Sequence, residues 1–289
     1  MEDYKDFVPD VHFELIPINR LVSNQDYQRN LSLQHIRKTA ENFDLYQINP
    51  VKVSRRKGIN YVFNGQHTIE IVAMVSGSRD TPVWCMVYDD MDYRVEADVF
   101  ANQQKYVKAL APYEIFMANI EAENEDQVAI KSLVESYNLA ISKTRAPGMI
   151  CAVSSLEFIY KKYGFHVLDR SIRLCVGTWE GEPGSLSSGI LKGIAILIAT
   201  YGDNLRDDVF KEKVGFCSSR EISRLARERK AGSVGFAEAM LIAYNRKAKK
   251  GLSWSKLYSG RKRLPIDEDF DTEEEEQEGE EYRQETLDY

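Results

Sequence analysis

Five consecutive residues, Asn64-Gly65-Gln66-His67-Thr68, bring an amide, a glycine, an imidazole and a hydroxyl together in one short turn. That set suits an anion. Gly65 lets the backbone come close to a ligand, and a helix beginning near Gln66 would aim its first N–H groups, and its positive end, at whatever sits above the turn. In that field His67 is expected to be neutral and to donate a hydrogen bond to phosphate; the competing assignment is a structural hydrogen bond within the turn. Glu70 lies one turn further along. It is placed to take a proton or to hold a metal through water, and its plainer assignment is a solvated face residue.

The elements that must position this turn are legible around it. Residues 59–63 alternate in β-type chemistry, Asn64-Gly65 interrupts them, and Ile69, Val72, Ala73 and Val75 follow at helical spacing, so strand, turn and helix are expected. Gly77 is placed to end that helix. Upstream, the pattern predicts an opening strand over 15–21, a helix over about 31–43 and a strand over 48–53. Between the last strand and the one at 59, residues 54–58 (Ser54-Arg55-Arg56-Lys57-Gly58) read as a hairpin turn with a basic tip, a surface that touches a nucleic-acid backbone or is simply soluble. Downstream, a strand over 82–88 and a helix over 93–107 are expected, the helix carrying Asn102 and Gln103. In the loop ahead of the first helix, Arg29 is able to pair bidentately with a phosphate, or to be a solvated charge.

The order and spacing of these pieces over residues 15–104 resemble the ParB/sulfiredoxin fold, a family of nucleotide-binding and DNA-linked domains. The resemblance runs through Leu15-Ile16-Pro17-Ile18-Asn19-Arg20-Leu21, Tyr27-Gln28-Arg29, Ile48-Asn49-Pro50-Val51-Lys52-Val53, the 64–68 box, Pro82-Val83-Trp84-Cys85-Met86-Val87 and Asn102-Gln103-Gln104-Lys105. It implies a small mixed sheet with helices, nucleotide binding by Arg29, Asn64, Gly65, Gln66, His67, Thr68, Asn102 and Gln103, and a nucleoside triphosphate with Mg2+ as the group to be held. Two departures matter. A sulfiredoxin needs a nucleophilic Cys in the box, where this chain has Gln66, so that activity is not expected. Chromosome-partitioning ParB proteins carry a Glu and two Arg after the glycine, where this chain offers Gln66, His67 and Thr68, which puts CTP hydrolysis in doubt.

From residue 110 onward the period becomes helical, with segments expected at 112–124, 125–137, 152–163, 169–177, 187–201, 207–213, 218–229 and 236–248. The stretch 125–142 reads as a helix, a turn and a short β segment, a form shared by small DNA-binding modules and by plain packing units. Residues 217–264 hold thirteen Lys or Arg against three Glu, and residues 267–289 hold thirteen acidic residues against one Arg, so a −12 segment directly follows a +10 one. Arg220, Arg224, Arg227, Lys247, Lys249 and Lys250 are the candidates for contact with nucleic acid. The acidic residues are expected to form a disordered tail, either keeping a basic protein soluble or folding back over the basic segment.

The chain has 289 residues, enough for two domains and a tail: an arm over 1–14, the mixed-sheet domain over 15–108, an all-α domain over 109–264 and the tail over 265–289, an α+β architecture in total. Its longest apolar stretch, 190–200, contains Lys192 and is too short for a bilayer, so no membrane partner and a cytoplasmic location are expected. The four cysteines and four histidines make no metal-ligand spacing, and each cysteine reads as a small buried residue. Three functions stay open: a nucleotide- and DNA-associated protein resembling those of phages and mobile elements, an NTPase, phosphotransferase or nuclease on the same turn, and a non-catalytic protein that regulates a host nucleic-acid system. DNA, a protein partner and a second copy of the chain are the partners these readings imply.

Overall fold

The computed structural model describes residues 8–23, 31–103, 105, 109–182, 184–248 and 251–259. The chain divides into two compact units, Met1–Ala109 and Leu110–Tyr289. The first is a five-stranded mixed sheet with helices, and the second is helical with one short strand pairing, so the protein is α+β.

In the first unit the described elements are β1 (His12–Pro17), β2 (Leu21–Ser23), α1 (Leu33–Glu41), β3 (Val51–Arg56), β4 (Ile59–Asn64), α2 (Gln66–Ser76), β5 (Pro82–Asp89) and α3 (Tyr93–Gln103). Strand order is β1-β5-β3-β4-β2. The single opening strand expected over 15–21 is in fact two. β1 pairs antiparallel with β5 and β2 pairs parallel with β4, on opposite edges of the sheet. A 3-10 turn, Ile18–Arg20, breaks the run between them: Ile18 is fully buried, its N–H donates to the Thr81 carbonyl at 3.1 Å, and the Asn19 N–H donates to that of Arg79 at 2.8 Å. From Pro17 to Leu21 the chain can reach at most about 14 Å, whereas the outer strands of a flat five-stranded sheet would stand about 19 Å apart. The sheet is therefore strongly curled, with its two edges drawn toward each other.

One face of the sheet buries Ile16, Val51, Val53, Val62, Val83, Cys85 and Val87 against Ile69, Val72 and Ala73 of α2. This is the alternation of a half-buried strand meeting the stripe of an amphipathic helix. Burial pushes the Cys85 thiol up to about 11.

The hairpin between β3 and β4 corrects the reading of its basic tip. The turn itself is only Lys57 and Gly58, both at positive φ (51° and 75°), the two-residue geometry that matches strand twist. Arg55 and Arg56 belong to β3 and are occupied within the fold. Arg55 reaches Glu14 of β1 at 2.6 Å, holding that carboxyl below its ordinary range, and bonds Asn60 at 2.9 Å. Arg56 pairs with Glu96 of α3, whose side chain is wholly buried, and its guanidinium lies over the Tyr61 ring at 4.4 Å.

The second unit comprises α4 (Pro112–Glu121), α5 (Glu125–Ser136), β6 (Ala140–Ile141), β7 (Met149–Ile150), α6 (Val153–Tyr163), α7 (Phe165–Trp179), α8 (Ser188–Tyr201), α9 (Asp207–Val214), α10 (Ser219–Arg229), α11 (Ser233–Asn245) and α12 (Lys256–Ser259). The β segment expected near 142 is β6, which pairs in parallel with β7. The apolar stretch at 190–200 is the central helix α8, apolar nearly all round because it is enclosed by other helices. Gly189 and Gly193 let α11 come close. A Cβ on Gly193 would stand 2.7 Å from Met240 and 2.8 Å from Phe236.

Two helices begin earlier than the sequence pattern indicated, each behind a glycine at positive φ. α7 starts at Phe165 after Gly164 (φ 86°), and α11 starts at Ser233 after Gly232 (φ 73°). The cysteines divide: Cys85 and Cys175 are buried, whereas Cys151 and Cys217 are half-buried. Burial pushes the Cys175 thiol up to about 12. No helix among the described residues is long and apolar enough to cross a membrane.

Removing Arg56 takes an ion-pair partner away from Glu96, whose side chain is wholly buried. Arg56→Met is expected to destabilise the N-terminal unit by about 3–5 kcal/mol, and Arg56→Met with Glu96→Leu to recover most of that loss. Urea unfolding of the three proteins measures both; equal stability of the single and double variants would disprove the pairing's role.

Candidate functional site

β4 ends at Asn64, the chain turns at Gly65, and α2 begins at Gln66, the order that the sequence predicts. Gly65 is the N-cap, at φ 101°, and having no side chain it caps nothing. Its missing Cβ serves the fold directly: an added carbon would lie 3.2 Å from both the Cα and a methyl of Val51 on β3. The close approach that the sequence suggests for a ligand is here first of all an approach to a neighbouring strand.

His67 is held from outside the turn. The backbone N–H of Ser32 donates to His67 Nε2 at 3.3 Å, so that nitrogen is an acceptor and the ring is neutral in this arrangement. Neither expectation for His67 anticipated this partner, which is 35 residues away. Ser32 is itself the N-cap of α1, its hydroxyl accepting from the His35 N–H at 3.3 Å, and the His35 ring meets that of His67 edge to face with centroids 5.6 Å apart. The N-termini of α1 and α2 thus converge on one corner. Each carries roughly half a positive charge, so the pair favours an anion between or above them.

The corner has a third wall. Asn64 Nδ2 donates to Gln103 Oε1, bringing the end of α3 back to the turn. The Gln103 Nε2 amide is buried and has no hydrogen-bond partner among the described residues, a donor left over at the site. Asn102 does not join it, because its amide bonds back to Asp98 on its own helix at 3.0 Å. Glu70 is also elsewhere engaged: a single guanidinium nitrogen of Arg79 reaches both of its oxygens, at 3.0 and 2.9 Å. Thr68 is half-buried in the first turn of α2, and Arg29 lies outside the described residues.

Sequence reasoning missed Ser32 and His35. A serine ahead of an apolar helical stripe is a readable cap, but nothing local says which histidine a cap will face. Among the described residues no group of three His, Cys, Asp or Glu side chains is placed to hold a metal ion.

In the second unit α10 begins with the expected cap: the Ser218 hydroxyl accepts from the Glu221 N–H at 3.2 Å and the Glu221 carboxylate accepts from the Ser218 N–H at 2.8 Å, which keeps that carboxyl below its usual range. Arg220, Arg224 and Arg227 are exposed on this helix, and Lys247 is exposed beyond α11. Lys249 and Lys250 lie outside the described residues, as does the acidic segment.

Residues 22–255 match a family described as a family of unknown function, DUF6551. No curated protein matches the chain. Among solved structures it is similar to the C-terminally truncated chromosome-partitioning protein ParB from Caulobacter crescentus complexed with CTP-gamma-S, at 13% identity over 79% of this chain and 98% of that one, with a TM-score of 0.35.

Because Gly65 combines a left-handed φ with contact against Val51, Gly65→Ala is expected to cost about 1–3 kcal/mol in stability whether or not a ligand is present. Chemical unfolding checks this, and an unchanged midpoint would show that the strand contact is slack.

Proposed function

The chain belongs to the family of unknown function DUF6551, and from that premise we propose that its N-terminal unit binds the phosphates of a nucleotide at the corner formed by Asn64, Gly65, Gln66, His67, Thr68 and Gln103. One observation carries the reading: the Ser32–His67 hydrogen bond draws two helix N-termini together, and a site with two positive ends attracts polyanions. The ParB/sulfiredoxin resemblance of residues 15–104 supports the same assignment. Arg29, three residues ahead of Ser32 in the chain, is the cation proposed to join from the loop.

In this reading the chain's own groups bind and orient. The turn and the two helix ends hold phosphate oxygens, and the Gln103 amide donates to the ligand. The described residues supply no acid–base pair around the corner. Binding, rather than turnover, is therefore the activity proposed, and an NTPase or nuclease is the lesser reading.

The test is thermal stabilisation by the four nucleoside triphosphates with and without magnesium. At a concentration about 100 times the dissociation constant the favoured nucleotide should add about 2.7 kcal/mol. Gln103→Glu keeps the acceptor for the Asn64 amide but sets a carboxylate where the donor stood, and should remove the response, read as the shift from that variant's own unliganded melting temperature. Silence from all four nucleotides, or an undiminished response in Gln103→Glu, would sink the assignment.

A second reading concerns the helical unit, which we propose binds nucleic acid through Arg220, Arg224 and Arg227, with Lys247, Lys249 and Lys250 adding charge. The stripe of exposed arginines on α10 favours it. Each phosphate contact contributes about −0.9 to the log–log slope of affinity against salt, so replacing the three arginines by Ala should flatten the slope by about 2–3. Electrophoretic shifts across a salt series measure this; a parent protein that ignores DNA even at ~50 mM salt would rule it out.

A further inference from the structure

We propose that the arginine face of α10 is the docking surface of this chain's own acidic C-terminal segment, residues 267–289, which competes there with other polyanions. The inference deepens the nucleic-acid reading of the same face, and it rests on three features: where the cations point, where the described chain ends, and how much charge follows.

At about 100° per residue, Arg220, Arg224 and Arg227 fall within an arc of roughly 60° on α10, on the side away from the buried Ile222 and Ala226. The three side chains therefore form one cationic strip along the whole helix.

The described chain ends beside this helix. α12 closes at Ser259, and the preceding Tyr258 is fixed at the C-terminal end of α10: its hydroxyl donates to Glu238, which pairs with Arg229 at 3.9 Å, and the Lys230 ammonium lies over its ring at 5.8 Å. Arg229 is the last residue of α10 and Lys230 its C-cap. From Ser259 to Asp267 the chain spans up to about 29 Å, while α10 is about 16 Å long, so the first carboxylates of the segment reach every arginine of the strip. Between 267 and 281 eleven of fifteen residues are Asp or Glu, and Phe270 is the one large apolar side chain among them. Charge, not burial, is what such a segment has to offer.

A tether this short keeps the carboxylates at an effective concentration on the order of millimolar, enough for weak pairing in low salt. The contact is screened with a Debye length of about 10 Å at 0.1 M salt and about 3 Å at 1 M, so it opens as ionic strength rises. A nucleic acid meets the strip at the same face, where the two anions exclude each other.

Two experiments on the full chain test this. The first uses no nucleic acid: carbodiimide, which joins amines to carboxylates at zero length, is applied at ~20 mM salt and again at ~0.5 M. Amide links from Lys230 or Lys247 to residues 267–289 within a monomer are expected at low salt, and they should be lost at high salt and in the Arg220→Ala/Arg224→Ala/Arg227→Ala variant. The second compares duplex DNA affinity before and after truncation following Pro265, expected to tighten about tenfold at ~50 mM salt and not at ~0.5 M. Links within the monomer uphold the docking even if DNA binds neither form, which would retire only the nucleic-acid reading. Links found only between chains, rising with protein concentration, would assign the strip to a second copy instead. Absence of any link, or links unaffected by removing the three arginines, would overturn the proposal.

Discussion

A carboxylate with no exposure to water has to be neutralised where it stands, and in the N-terminal unit that constraint organises the outer face of the sheet. Glu96 on α3 is buried against the β3–β4 hairpin, and Arg56 meets it there, held in turn by the Tyr61 ring. Taking both charges out of water is costly, so the pair is weak as a source of stability and strong as a fastener: α3 cannot slide without exposing or stranding a charge. Because α3 is fixed at Glu96, its last residue, Gln103, is delivered to Asn64. The corner proposed to hold phosphate therefore depends on an ion pair that takes no part in binding.

The pieces legible in the sequence are those whose cause is local. Asn64-Gly65 marks the turn because only the following glycine tolerates the left-handed φ, Gly77 ends α2 for the same reason, and Ser218 with Glu221 announces the start of α10. What could not be read is partnership at long range. Arg55 and Arg56 look like a soluble basic tip until Glu14 and Glu96, some forty residues away in either direction, are folded onto them. His67 looks like a phosphate donor until the Ser32 amide approaches it. The opening strand looks continuous because β1 and β2 share the same apolar chemistry, and only the burial of Ile18 and its bond to Thr81 show that the chain changes edges there.

The helical unit has a different logic. Its centre is α8, apolar nearly all round, and close contacts are made where a glycine leaves room, at Gly193 against Met240 and at Gly235 against the carbonyl oxygens of Lys230 and Ala226. The second of these seats the start of α11 on the end of α10, and Ser219 against Glu182 and Arg229 against Glu238 tie the helix down at its two ends, none of them a residue of the arginine strip. A rigid platform holds its charges in register without drawing on them for stability. That leaves Arg220, Arg224 and Arg227 available for an anion, consistent with their exposure.

The curled sheet has a consequence in time as well as in space. β1 pairs with β5, some seventy residues further along, while β2 pairs with β4 on the far edge. A ribosome emitting this chain releases the first strand long before its neighbour exists, and β3, β4 and α2 must emerge before β5 can enter between β1 and β3. Closure of the unit is thus a late, non-local step with a correspondingly slow loop search. Until it happens, the apolar side of β1 waits as nascent chain, with Glu14 and Pro17 as its built-in deterrents to pairing with the wrong strand.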